Sequence, residues 1–131
     1  MDTTIVSEIL ATRLATMGLP IAAENAKFTP TAGVLYLREQ MLGDVLLHRP
    51  VAGGVRNTAS GLWQVTIMAP VDGTRKPAGN AFASIEALYP VAWQGTKAGV
   101  TVTIRGVTKG PSFLIGDRYA VTATIDWVAY S

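Results

Sequence analysis

The sequence predicts an α+β fold, a mostly antiparallel sheet of four to five strands with two helices packed on one face, and three observations predict it. Apolar residues recur at three- and four-residue steps over residues 3–17 and again over 74–89, the period of a half-buried helix. They alternate over residues 62–69 and 118–130, the period of a half-buried strand. Thr122, Thr124 and Asp126 occupy the opposite face of that last segment, so the sheet keeps one wet or interfacial side, which antiparallel sheets tolerate far better than parallel ones.

In the first helix Ile5, Val6, Ile9, Leu10, Leu14 and Met17 share one face, with Asp2, Thr3 or Thr4 as the cap. Gly18 and then Pro20 end it, the usual order of a C-terminal glycine followed by a residue that cannot continue a helix. Residues 21–27 read as a short strand, 28–33 as a turn and 34–42 as an apolar strand. Between Gly43 and Gly61 neither period persists, and Pro50, Gly53, Gly54, Asn57 and Ser60 interrupt the run, so a long loop is expected there. Unstructured loops of more than about 12–15 residues are uncommon in compact domains and tend to be functional.

Trp63, Val65, Ile67 and Ala69 form the inner face of the next strand, with Gln64, Thr66 and Met68 on the other, until Pro70 and Asp72-Gly73 stop it. Thr74 offers the N-cap of the second helix, Pro77 sits in its first turn, and Ala78, Ala81, Phe82, Ile85, Leu88 and Tyr89 make its apolar stripe up to Pro90. The remainder reads as a hairpin: a strand over residues 100–104, a turn over 106–116, and a strand over 118–130 with Tyr119, Val121, Ala123, Ile125, Trp127 and Ala129 on one face.

The chain has 131 residues, the size of one domain, and residues 1–131 are taken as a single unit. Only 15% of them are charged and 49% are hydrophobic, against a typical charged share of about 25%. A surface so poor in charge suits a chain covered by neighbouring subunits, since the cores of obligate interfaces are depleted in charge. No apolar run reaches the roughly 20 residues of a membrane helix, and no secretory signal is evident. The absence of cysteine excludes disulfides and thiolate chemistry, and a net charge of +2 is too small for a dedicated nucleic-acid groove.

No catalytic residue, metal ligand or cofactor is predicted. His48 is the single histidine, and no Gly-x-Ser-x-Gly elbow presents a serine to it. The nine carboxylates are scattered, without ligand spacing. Residues 106–112 lack the Gly-Lys-Ser/Thr order of a phosphate loop, and Gly53-Gly54 lacks a strand-to-helix context. Arg49 and Arg56 flank those glycines and Arg75-Lys76 precedes the second helix, which puts four cations on loops, expected at one end of the molecule. They read either as solvated charges or as a lining for a channel that carries DNA, where phosphate attraction needs no sequence readout. Trp63 and Trp127 fall on apolar strand faces, whereas Trp93, in a connector after Pro90, is either a cap beneath the sheet or an anchor for a partner.

Several local runs, taken in order, resemble a family of short phage tail-completion proteins that includes the tail terminators of lambda-like phages. They are Leu10-Ala11-Thr12-Arg13-Leu14, Glu24-Asn25, Phe28-Thr29-Pro30, Tyr36-Leu37-Arg38 and Gly61-Leu62-Trp63-Gln64-Val65. The helix over residues 81–88, Gly99-Val100-Thr101-Val102, and Gly116-Asp117-Arg118-Tyr119 opening a strand that ends near Trp127 complete the pattern. Ala69-Pro70 departs from it where an aromatic is expected before the proline. The resemblance implies a structural virion protein assembled in the host cytoplasm. It would form a hexameric ring at the head-proximal end of the tail tube, stop tube growth and join tail to head; a head-tail connector or a tube subunit is the alternative. The partners implied are other copies of the chain, the tail tube protein and the head-tail connector protein, with at most non-specific contact with genomic DNA and none with membrane. The interface expected for such a ring comprises His48, Arg49, Val51, Gly53, Gly54, Val55, Arg56, Asn57 and Trp93, with Arg49, Arg56, Arg75 and Lys76 facing the channel.

Overall fold

The computed structural model describes residues 2–51, 54–71 and 74–131, with the backbone alone over 44–51 and 54–56. Helix α1 (Thr4–Leu14) runs into a 3₁₀ turn (Ala15–Met17) and is followed by β1 (Ile21–Ala22), β2 (Tyr36–Val51) and β3 (Gly54–Pro70). Helix α2 (Lys76–Leu88), β4 (Gln94–Lys97), β5 (Val100–Ile115) and β6 (Arg118–Tyr130) complete the chain. The strands form one sheet in the order β1-β2-β3-β6-β5-β4.

The α+β class and the two helices are as expected, but the sheet has six strands rather than four to five, and β1 pairs parallel to β2. The additional strands are short. β1 contributes two register pairs, and β4 is a polar four-residue segment whose exposure does not alternate, so neither carries a period-2 signal.

The expected loop between Gly43 and Gly61 is instead the outer part of a β2–β3 hairpin, paired from Gly43↔Leu62 to Val51↔Gly54. β6 ends at Tyr130 opposite Thr58, so the paired residues between 48 and 57 form a two-stranded arm that projects past the sheet. A ribbon with no core beneath it has no reason to alternate apolar with polar residues. The expected turn over residues 106–116 is likewise strand: β5 continues to Ile115, with register shifts between Ile104 and Gly106 and between Lys109 and Ser112. These bulges absorb the residues that break the alternation. Gly110 is required there, because a Cβ would run into Thr122 Oγ1. The turn itself is Gly116-Asp117, with Gly116 at φ +56°.

Both helices lie on one face of the sheet. Val6, Leu10 and Leu14 of α1 and Ala78, Ala81 and Ile85 of α2 pack with Trp63, Val65, Ile67, Val121, Ala123, Ile125, Trp127 and Ala129 into one core. The helices are fastened to each other by polar contacts: the Tyr89 hydroxyl donates to the Leu10 carbonyl at 2.6 Å, and Arg13 Nε donates to the Leu88 carbonyl. α1 is capped by Asp2, whose Oδ1 accepts from the Thr4 N–H at 3.0 Å, and α2 begins after Thr74, whose Oγ1 accepts from the Lys76 N–H at 3.0 Å. The other face of the sheet is covered at one end by a small cluster of Ala22, Tyr36, Met68 and Ala120 with Phe28 stacked on Tyr36 at 4.9 Å. No helix among the described residues is long and apolar enough to cross a membrane.

Candidate subunit and partner interface

Two hollows among the described residues show how little acid–base chemistry is left free there. An apolar one of about 540 Å³ lies between the 3₁₀ turn and α2 and is walled by Met17, Leu19, Leu35, Ala81 and Leu88, with Asn80 and Ser84 as its polar members. A polar hollow of about 360 Å³ holds Glu24, Arg38, Glu39 and Gln40. Its two carboxylates are already engaged in structure. Glu39 accepts from the Trp63 indole at 2.9 Å and from the Glu24 N–H at 3.2 Å, and Glu24 in turn accepts from the Met41 N–H at 3.1 Å on the edge of β2. Among the described residues no three His, Cys, Asp or Glu side chains converge as a metal site.

The sheet, by contrast, leaves hydrogen-bonding surface open. β1 covers β2 only at Leu37 and Arg38, and β4 covers β5 only over residues 100–103. Beyond those points β2 and β5 are the two outer strands, on opposite sides of the strand order. Each carries a row of backbone N–H and C=O groups able to template another strand.

The sequence-predicted residues fall in three places. His48, Arg49, Val51, Gly54, Val55 and Arg56 lie along the arm, in the register pairs His48↔Asn57, Arg49↔Arg56, Pro50↔Val55 and Val51↔Gly54; Gly53 lies outside the described residues. Asn57 is half-buried at the base of the arm, where its carbonyl accepts from the Ser131 N–H at 3.1 Å. Arg75 and Lys76 are exposed at the start of α2, beyond the opposite end of β3, so the four cations are split between the arm and the far end of that strand. Trp93 is partly buried against the core, its ring edge-on to Tyr89 at 6.2 Å and stacked under the Arg13 guanidinium at 4.5 Å. Gly95 makes room for it, since a Cβ there would come within 2.7 Å of both Trp93 and Ile9.

Sequence reasoning missed an exposed apolar end of the sheet. Phe113, Leu114 and Ile115 are 41%, 68% and 44% exposed and stand where β5 turns into β6, beside Val71 and Val34. The signal was present as an uninterrupted apolar triplet inside what was read as a turn.

A family model described as phage tail terminator protein matches residues 5–127. A solved structure whose name carries no functional description is 25% identical, with 98% of this chain and 96% of that one covered and a TM-score of 0.78. No curated protein matches.

Proposed function

This chain belongs to the phage tail terminator family, and on that premise we propose that it forms a homohexameric ring on the head-proximal end of the tail tube, stops tube growth and joins tail to head. As a member of that family it is a structural component of a phage tail. The observation that supports a ring is the pair of open sheet edges, residues 42–51 of β2 and 105–115 of β5, on opposite sides of one sheet. Head-to-tail contact between unlike edges is heterologous, and a heterologous contact whose rotation closes gives a ring in which no subunit keeps a bare edge. A chain with only 15% charged residues has the surface such contacts need.

In this reading the arm, with His48, Arg49, Val51, Val55, Arg56 and Asn57, reaches an adjacent subunit, and Arg49 and Arg56 meet the passing DNA through its phosphates alone. The tail tube protein binds one rim of the ring and the head-tail connector protein the other, in a virion assembled in the host cytoplasm. Native mass spectrometry of the purified chain, followed by incubation with growing tail tubes, tests the proposal. A six-fold mass and tubes of arrested length are expected; a chain that stays monomeric and leaves tube growth unchanged is incompatible with it.

A further inference from the structure

Eight large apolar side chains are exposed among the described residues, and five of them, Val34, Val71, Phe113, Leu114 and Ile115, gather at one end of the sheet. The register brings them together: Ile115 and Pro70 both pair with Arg118, Phe113 and Leu114 pair with Ala120 and Tyr119, and Val71 follows Pro70. Val34 joins through its carbonyl, which accepts from Arg118 Nη1 at 2.5 Å. Apolar residues scattered singly over a surface need no explanation, but a contiguous group marks a contact site.

At the centre of this group stands a buried cation. Arg118 is 6% exposed, its Nη2 donates to the Thr31 carbonyl at 2.8 Å, and the guanidinium lies over the Tyr36 ring at 5.1 Å. It lines a hollow of about 420 Å³ with Pro30, Tyr36, Met68 and Ile115. Asp117 lines the same hollow, yet among the described residues no carboxylate pairs with Arg118. Two carbonyls and a ring leave guanidinium donors unspent, and a buried charge held only by neutral groups is improved by an anionic partner. An arginine sunk among apolar neighbours is also the residue type on which interface energy concentrates.

Resting on the ring reading above, we infer that this end of the sheet docks on the terminal ring of the tail tube and receives from each tube subunit a carboxylate flanked by apolar side chains. The open edges of β2 and β5 are spent on lateral neighbours in that ring, so the Arg118 end, unlike the arm, faces a rim and not a sister subunit. The Arg118 end is opposite the arm, and it recurs once per subunit, which suits a partner that repeats around the same axis. The carboxylate enters the hollow and meets the guanidinium, while Leu114 and Ile115 cover the apolar surround.

The test uses full-length rings carrying Leu114→Asp or Arg118→Lys, and tubes polymerised from the tube protein of the same phage. Leu114 is exposed, so its replacement spares the core, and Arg118→Lys keeps the charge but loses the planar fork. Both variants are expected to keep the wild-type ring mass and to co-sediment with tubes about tenfold more weakly or worse. Variant rings that cap tubes as well as wild type, or that cap tubes normally and lose only connector binding, overturn the inference while the ring reading stands. Loss of the ring in Leu114→Asp overturns it too, by making the patch a lateral contact. A wild-type chain that forms no ring removes the ring reading and this inference with it.

Discussion

The indole N–H of Trp63 donates to the Glu39 carboxylate across 2.9 Å, joining the middle of β3 to β2 beneath the main core. Glu39 is only 7% exposed and also receives the backbone N–H of Glu24, so one side chain holds the sheet centre to the segment after β1. Glu39→Ala strands the indole and the amide at once. A buried donor left without an acceptor costs about 1–3 kcal/mol, more when the lost acceptor is charged. The variant is expected to unfold at lower denaturant than wild type by that margin, whereas Trp63→Phe, which removes the donor with the bond, loses packing volume but strands no indole. Chemical denaturation followed by far-UV circular dichroism separates the two.

Tyr89 makes the corresponding tie on the helical side, and burial holds its hydroxyl protonated far above the ordinary tyrosine value of 10.0. The phenol is protonated in the folded state at pH values where the unfolded chain has already lost that proton. Its contribution is therefore complete below about pH 10 and declines as pH rises beyond that. Stability curves of wild type and Tyr89→Phe are expected to run parallel through neutral pH, with wild type higher by about 1 kcal/mol from the hydrogen bond to Leu10. They should converge in strong alkali, and a constant gap across the alkaline range would show that Tyr89 ionises like an exposed tyrosine.

Gly110 lies where the β5 bulge brings its backbone against Thr122. Gly110→Ala is expected to cost about 1–3 kcal/mol by overpacking. Thr122→Ala removes the Oγ1 in the way but leaves its Cβ at 3.2 Å, so the double variant should recover part of the loss and no more. A double-mutant cycle with no coupling would place the strain elsewhere.

Legibility followed burial. Helices α1 and α2 and the inner faces of β3 and β6 are readable because every third or second side chain meets one shared core, and Val65, Ile67, Ala123 and Ile125 are all buried as their alternation implies. The arm escaped because Pro50, Gly53 and Gly54 hid strand pairing behind loop-like residue types, and the second half of β5 because its backbone pairing imposes no period on side chains that no core covers. β4 escaped for the same reason, being Gln94–Lys97 at an edge. The Arg118 end was not readable at all. Arg118 and Val34 are 84 positions apart, and only the pairing of β2 with β3 and of β3 with β6 brings them together.

The Lys97–Glu8 ion pair, at 2.9 Å, links β4 to α1 with both side chains more than half exposed. Water screens such a pair, and exposed pairs contribute about 0–1 kcal/mol. Lys97→Ala is expected to leave thermal stability within experimental error at moderate salt, and a loss of several degrees would mean that the lysine stem, not its charge, covers the edge.

The arm can be tested apart from the core. Residues 48–51 pair as strand with 54–57, because β6 stops opposite Thr58 and β1 reaches only Leu37 and Arg38, while Asn57 is also tied to the sheet through its carbonyl, which accepts from the Ser131 N–H. Deleting them and joining Leu47 to Thr58 through Asn-Gly, whose conformation suits a two-residue hairpin turn, should leave the six-stranded sheet and its helices intact. The thermal midpoint of the shortened monomer is then expected to stay close to that of the parent. On the ring reading assembly should not survive, since among the described residues the arm projects beyond the rest of the sheet and is the part proposed to reach a neighbour. Native mass spectrometry reads the outcome directly. A shortened chain that folds and still gives rings of the wild-type stoichiometry would assign lateral contact to the sheet edges alone, and the arm's cations, Arg49 and Arg56, to the channel.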